Sequence, residues 1–147
     1  MELTSTFARR IIGSVMALAL PFAAGPVAAQ DEPVLAMDLN GLTQTDAGCR
    51  FTFVIENMLP GDLNKAIFEF VLFGADGLVE RLLTLDFKEL PKGKTRVRQF
   101  DLADLQCTAL ARILVNDASE CSGEGTDPAA CMRDLKTSTA TELQFGS

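Results

Sequence analysis

Histidine, tryptophan and tyrosine are all absent from the 147 residues of this chain. Without histidine, the chain lacks the commonest general base and the commonest transition-metal ligand of proteins. Catalytic triads of the Ser-His-Asp and Cys-His kinds are therefore excluded, and no residue pattern designates a catalytic residue, a cofactor or a metal ligand. The lack of tryptophan and tyrosine also argues against a sugar-binding platform or a strong aromatic hot spot. We expect a protein that is not an enzyme.

Acidic residues outnumber basic ones, and the chain has no long hydrophobic run. The chain has 13 Lys and Arg residues against 20 Asp and Glu residues, for a formal net charge of −7. Such a charge repels nucleic-acid phosphates and anionic lipid surfaces, so we expect neither as a partner. The main apolar stretch, residues 11–24, contains Pro21 and is shorter than the roughly 20 residues of a membrane span. A stable membrane anchor is therefore not expected.

Residues 1–29 have the three parts of a secretory signal peptide. Basic residues come first, the apolar stretch follows, and small residues precede the expected cut. We predict cleavage between Ala29 and Gln30, which leaves residues 30–147 as one domain in the periplasm or outside the cell. The pair Arg9-Arg10 resembles a twin-arginine export signal only in part, because Ala8 stands where Ser or Thr is usual. The general export route is the alternative.

Alternating and continuous apolar runs predict β-strands and almost no helix. The turn residues of segment 74–77 lie between two apolar runs, which predicts a hairpin. In the fourth run, Arg81 and Leu82 break the alternation that otherwise places Val79 with Leu83 on one face. The expected fold is an all-β, seven-stranded antiparallel sandwich. Its predicted strands are 34–40, 49–57, 66–73, 78–87, 95–102, 109–116 and 135–145.

The last third of the chain is less regular. Small and polar residues predict a loop over residues 117–130, although Thr126-Asp127-Pro128 is an alternative start for a short helix with Asp127 as its cap. From 135 to 145, threonine and apolar residues alternate, and β-branched residues favour strands. We therefore expect a single closing strand there.

The four cysteines, an even number in an exported domain, predict two disulfides, which can pair in three ways. If consecutive strands alternate in direction, the second and sixth predicted strands begin at the same end of the domain. Cys49 opens the second strand and Cys107 precedes the sixth, while Cys121 and Cys131 flank the loop after it. The strand order thus favours Cys49–Cys107 and Cys121–Cys131. In the chain-entropy model the two bridges add roughly 4 and 3 kcal/mol.

Three segments carry a resemblance: FTFVIEN at 51–57, FEFVLFGADG at 68–77 and LPKGKTRVRQFDL at 90–102. Together they resemble the immunoglobulin-like or fibronectin-III-like sandwich domains of bacterial envelope proteins, including the FxLYD type. With the signal, the chain is also similar to small exported bacterial proteins that carry a twin-arginine-like signal. The resemblance implies an immunoglobulin-like sandwich, and it transfers no active-site residue.

Two charged clusters and one cysteine pair each have a functional interpretation and a purely structural one. The acidic residues Glu120, Glu124 and Asp127 offer oxygen ligands for calcium, but they lack the spacing of a dedicated calcium loop, and a solvated loop is the alternative. Cys121 and Cys131 are too far apart in sequence for a typical redox dithiol, so a structural disulfide is favoured.

A basic patch is expected at Lys92, Lys94, Arg96 and Arg98. It would suit an acidic partner or a surface anion. Charges that protect an edge strand from further pairing are the alternative interpretation.

The sequence as a whole favours a non-enzymatic accessory or interaction domain of the cell envelope with an unknown protein partner. One alternative is a redox or hydrolytic enzyme that uses the cysteines or the acidic loop. A calcium-stabilised structural domain is another.

Export and disulfide formation together predict the mass of the finished protein. We expect electrospray mass spectrometry of protein from its native compartment to give the mass of residues 30–147 less four hydrogen atoms. A mass that includes residues 1–29 would contradict the cleavage. Reaction of two thiols with an alkylating reagent in the native protein would contradict the pairing.

Overall fold

β-Strands dominate the part of the chain that a computed structural model describes, residues 32–147. The predicted signal peptide and its cleavage site lie outside these residues. A one-turn 3₁₀ helix, Cys107–Ala109, and a one-turn α-helix, α1, Ala130–Arg133, complete the regular structure. The strands are β1 Leu35–Gln44, β2 Gly48–Asn57, β3 Lys65–Gly74, β4 Val79–Asp86, β5 Thr95–Ala103, β6 Leu110–Ser122, β7 Leu135–Thr139 and β8 Gln144–Gly146.

The strands form two sheets of four strands each. Sheet 1 has the order β5-β2-β1-β7, and sheet 2 has the order β4-β3-β6-β8. Side chains from both sheets share one hydrophobic core, as the all-β prediction requires. The expectation of a purely antiparallel sandwich is wrong at two places, because β7 runs parallel to β1 and β8 runs parallel to β6.

The single closing strand predicted over 135–145 is divided into β7 and β8, which belong to different sheets. Between them, the hydroxyl oxygen of Thr139 accepts a hydrogen bond from the backbone N–H of Thr141, at 3.0 Å. The Thr141 hydroxyl in turn accepts from the N–H of Leu143, at 3.2 Å. These local hydrogen bonds replace the hydrogen bonds between strands, so the chain turns and passes from sheet 1 to sheet 2. The described residues therefore form eight strands, where seven were predicted.

The sixth strand extends beyond its prediction, since β6 continues to Ser122 through the first part of the expected loop. Its register with β3 shifts three times, and each shift accommodates one extra residue of β6, namely Ala111, Asn116 or Ser119. Each bulge reverses the face on which the following residues lie. The alternation that identifies a strand is therefore lost from the sequence, although the pairing continues.

Both disulfides have the pairing that the strand order favours. Cys49, at the start of β2, is bonded to Cys107 in the 3₁₀ helix, at a sequence separation of 58. Cys121, near the end of β6, is bonded to Cys131 in α1, at a separation of 10. Two disulfides are compatible with an oxidising compartment outside the cytoplasm.

The short helix forms, but it starts at Ala130 with Ala129 at its N-cap, so the prediction of Asp127 as its cap is wrong. Asp127 orders the residues that precede the helix. Its carboxylate accepts a hydrogen bond from the N–H of Ala129 at 3.0 Å, and its backbone carbonyl accepts one from the N–H of Ala130 at 2.9 Å. Over residues 32–147, no helix is long and apolar enough to cross a membrane.

Asn57, at the end of β2, is the buried polar residue of the core, with a relative exposure of 0%. Its amide nitrogen donates to the carbonyl oxygens of Leu90 and Gly61, at 2.7 and 3.0 Å. Its amide oxygen accepts the N–H of Leu59 at 2.9 Å. One side chain thus holds the segment after β2 against the segment that precedes β5.

We expect Asn57→Ala to lower the free energy of unfolding by about 2–4 kcal/mol, because it removes three hydrogen bonds and leaves the buried N–H of Leu59 without its partner. Urea denaturation of the two proteins measures the difference. Asn40→Ala is the matched control, because the Asn40 amide bonds only to an exposed carboxylate. Equal stabilities of the Asn57 and Asn40 variants would contradict the role of Asn57.

Candidate interaction surface

One face of β3 is directed away from the core. Phe68, Phe70 and Leu72 are completely buried against sheet 1. Side chains of a strand alternate between the two faces of the sheet, so the residues between them lie on the outer face. The outer residues of β3 are Ile67, Glu69, Val71 and Phe73.

The end of this outer face near the Gly74–Gly77 turn is apolar. Val71 pairs with Leu82 of β4 on one side and with Leu114 of β6 on the other, which makes a row across three strands. Phe73 pairs with Val79 in the next row. We call the apolar patch the residues Val71, Phe73, Leu78, Val79, Leu82 and Leu114. Leu78, Val79 and Leu82 are 69%, 60% and 57% exposed, whereas Val71, in the middle of the row, is only 7% exposed.

A bulge in β4 brings Val79 into the apolar patch. Leu72 pairs with Arg81 and Phe73 pairs with Val79, so that Glu80 is the extra residue. The prediction that Val79 shares a face with Leu83 is therefore wrong, since the bulge reverses the faces between them. Without the bulge, Val79 would be directed toward the core side of sheet 2.

Arg112 of β6 borders the patch beside Phe73. Its guanidinium carbon lies 5.2 Å from the centre of the Phe73 ring, a cation–π contact. The two side chains line a surface depression of about 240 Å³, to which the Gly74–Gly77 turn and Gln144 of β8 also contribute. The apolar patch thus has one concave edge with a positive charge.

The row of the outer face beside the apolar patch is acidic. Glu69 pairs with Asp117 of β6, one pleat away from the row of Val71. One carboxylate oxygen of Glu69 accepts from the Asn116 amide at 2.6 Å, and the Asp117 carboxylate accepts the N–H of Ala118 at 2.8 Å. Both carboxylates are held in place by these bonds. Across residues 32–147, neither has a cation within salt-bridge distance.

The acidic residues considered for calcium have other partners. Glu120 lies on β6, where its carboxylate is 2.9 Å from the Lys65 ammonium and raises the pKa of that lysine. The Asp127 carboxylate bonds to the Arg133 guanidinium, which lowers the pKa of Asp127. Glu124 is exposed in the turn between them. Among the described residues, no group of three or more Asp, Glu, Cys or His side chains is arranged to hold a metal ion.

The predicted basic patch does not form as one exposed cluster. Lys92 and Lys94 are exposed in the turn before β5, but Arg98 is directed inward from this edge strand. Its guanidinium donates to the carbonyl oxygens of Phe87 and Glu89, at 2.7 and 3.1 Å. Arg98 therefore connects sheet 1 to the segment that follows β4, and Arg96 beside it is partly buried.

A second arginine makes the reciprocal connection. Arg81 of β4, the edge strand of sheet 2, donates to the carbonyl oxygens of Ala103 and Asp104 at the end of β5, at 3.0 and 3.4 Å. Both acceptor segments contain a residue with positive φ, Lys88 at 62° and Asp104 at 55°. We call Arg81 and Arg98 the arginine clamps.

All four cysteine sulfurs are in disulfides, and Cys49, Cys121 and Cys131 are buried. Comparison with protein-family models, with curated proteins and with solved structures finds no match to this chain. The class of protein is therefore defined by its fold and its surface. It is a disulfide-bonded, two-sheet β-protein in which one outer face places an apolar patch beside an acidic row.

The Asp127–Arg133 pair predicts a pH dependence. The pKa of Asp127 is lowered in the folded state, first by the hydrogen bond from Arg133 and then by the N–H of Ala129. The stabilisation is therefore complete above the unfolded-state pKa of about 3.9 and is lost as the pH falls through the folded-state value. We expect Asp127→Asn to melt below the wild type at neutral pH and to approach it near pH 2.

Melting curves between about pH 2 and pH 7 measure this difference. Glu124→Gln removes an exposed carboxylate of the same segment and serves as the control, with no expected difference at either pH. A constant difference between Asp127→Asn and wild type across the whole range would contradict the assignment.

Proposed function

We propose that this chain is an exported, non-catalytic interaction domain of the cell envelope that binds a protein partner through the outer face of sheet 2. The observation that carries the proposal is the apolar patch, in which Leu78, Val79 and Leu82 are each more than half exposed. Contiguous exposed apolar residues mark binding surfaces more often than isolated ones do. Covering a leucine or valine that is now in water contributes about 1.5–3 kcal/mol per side chain when burial is complete.

The patch lies on a rigid support, which lowers the entropic cost of binding. Val71 is on the central strand β3, which pairs with β4 on one side and β6 on the other. The opposite faces of these strands are packed into the core, so the spacing of the outer side chains is fixed before a partner arrives.

Export is part of the proposal, and two features support it. Residues 1–29 have the pattern of a cleavable signal, and the disulfides suit an oxidising compartment such as the periplasm. The proposal that the domain is not an enzyme is supported by the lack of histidine and by the pairing of all four cysteines. A redox or hydrolytic enzyme remains the alternative that activity assays would detect.

We also infer an immunoglobulin-like or fibronectin-III-like arrangement. Its support is the distribution of the first six strands, with β1, β2 and β5 in one sheet and β3, β4 and β6 in the other. The end of the chain departs from that arrangement, because β8 lies beside β6 in the parallel direction. The inference therefore rests on residues 35–122.

Photo-cross-linking in the native cells tests the proposed function. A photoreactive residue replaces Leu82 in one variant of the full chain and Val97 in another; both positions are 57% exposed, and Val97 lies on β5 of sheet 1. We expect a discrete cross-linked product at position 82 and none at position 97. Equal products at both positions, or none at position 82, would contradict binding through the outer face.

A further inference from the structure

We propose that the partner of the outer face is a polypeptide whose contact surface places apolar side chains directly beside lysine or arginine side chains. This inference rests on the proposed function and specifies the partner's chemistry. The apolar side chains of the partner cover the apolar patch, and its cations pair with Glu69 and Asp117. The observations that point to it are the closeness of the apolar patch to the row of Glu69 and Asp117, and the fixed, unneutralised carboxylates of that row.

The apolar patch and the acidic row are too close for a partner to cover one without the other. Glu69 and Val71 are neighbours on the same face of β3, which places their Cα atoms about 7 Å apart. Adjacent strands are about 4.8 Å apart, so Leu82, Val71 and Leu114 span only about 10 Å. A contact surface large enough to cover this row also covers the row of Glu69 and Asp117.

Covering these carboxylates without compensation would oppose binding. A carboxylate that leaves water needs a counter-charge and hydrogen bonds to offset its lost hydration. Further along the face, Lys65 already pairs with Glu120 and Lys88 with Asp86, at 2.9 and 2.7 Å. The row of Glu69 has no such cation, so the partner has to supply it.

A second copy of this chain fits the face less well. Two copies that stack their apolar rows with reversed strand directions bring Glu69 and Asp117 of one copy toward the row of Phe73 and Arg112 of the other, which offers one guanidinium, already in contact with the Phe73 ring, for two carboxylates. Each copy also has more acidic than basic residues, with or without residues 1–29, and this net negative charge opposes association. A basic, apolar partner meets neither difficulty.

Synthetic β-strand peptides test the chemistry directly on the folded, disulfide-bonded protein. The probe peptide has leucine at alternate positions in one half and lysine at alternate positions in the other. One control peptide has glutamate in place of lysine, and a second has serine in place of leucine. We expect the probe to bind about tenfold or more tightly than either control, as measured by fluorescence anisotropy. Equal affinities for the three peptides would overturn the proposal.

Matched protein variants locate the binding. Leu82→Ser is expected to weaken probe binding at least fivefold, while Val97→Ser, at a position of equal exposure on sheet 1, leaves it unchanged. The double variant Glu69→Gln/Asp117→Asn is compared with Glu124→Gln/Glu142→Gln, which changes the net charge by the same amount at exposed positions away from the outer face. Circular dichroism and melting curves verify that each variant is folded.

The paired double variants separate specific pairing from general attraction to an acidic protein. A loss of affinity in the Glu69/Asp117 variant alone supports the proposal. An equal loss in both double variants means that the lysines of the probe respond only to net charge, and this outcome would overturn it.

The identity of the protein cross-linked at position 82 separates this inference from the proposed function. A captured segment that contains apolar residues beside lysine or arginine supports both. A captured segment without cations, or a second copy of this chain, overturns the inference while binding through the outer face still stands. The absence of any product at position 82 overturns the proposed function itself, whatever the peptides do.

Discussion

The ring of Phe53, at the middle of β2, is the contact on which the two sheets depend. Its centre lies 5.5 Å from the ring of Phe70 in sheet 2 and 6.0 Å from that of Phe100 on β5. Phe87, which follows β4, and Phe145 of β8 lie at 5.4 and 5.8 Å. Tilted and edge-to-face phenyl pairs at such distances are favourable beyond the area they bury. A core of phenyl rings also needs no buried partners, which tyrosine or tryptophan would require.

The open side of the sandwich, where the edge strands β4 and β5 face each other, is held by a different interaction. The arginine clamps cross it in both directions, Arg98 toward the segment after β4 and Arg81 toward the end of β5. A guanidinium has several donors in a fixed geometry and can bond two carbonyl oxygens at once. One of the clamps, Arg98, belongs to the basic patch that the sequence suggested for anions or acidic partners, and in the structure its charge stabilises the fold.

The candidate surface follows from the same core. Because one face of β3 is filled by completely buried residues, its other face has to lie outward, and the sequence places both Val71 and Glu69 there. The bulge at Glu80 adds Val79 to the apolar patch. An outer face with a fixed apolar patch beside an acidic row is suited to binding, whereas the disulfides and the acidic pairs near α1 act on stability.

Local pattern alone determined the strand character of most of the chain, and the strand order that it predicts favoured the disulfide pairing that the structure has. Those features depend on period-two alternation and on neighbours in sequence. Tertiary structure decided the rest, because long-range contacts compete with local preference. Ladder bonds to β3 extend β6 through three bulges, hydroxyl bonds of Thr139 and Thr141 divide the closing strand, and distant carbonyl oxygens draw Arg98 inward. No sequence period records such partners, so the outer face was visible only in the folded chain.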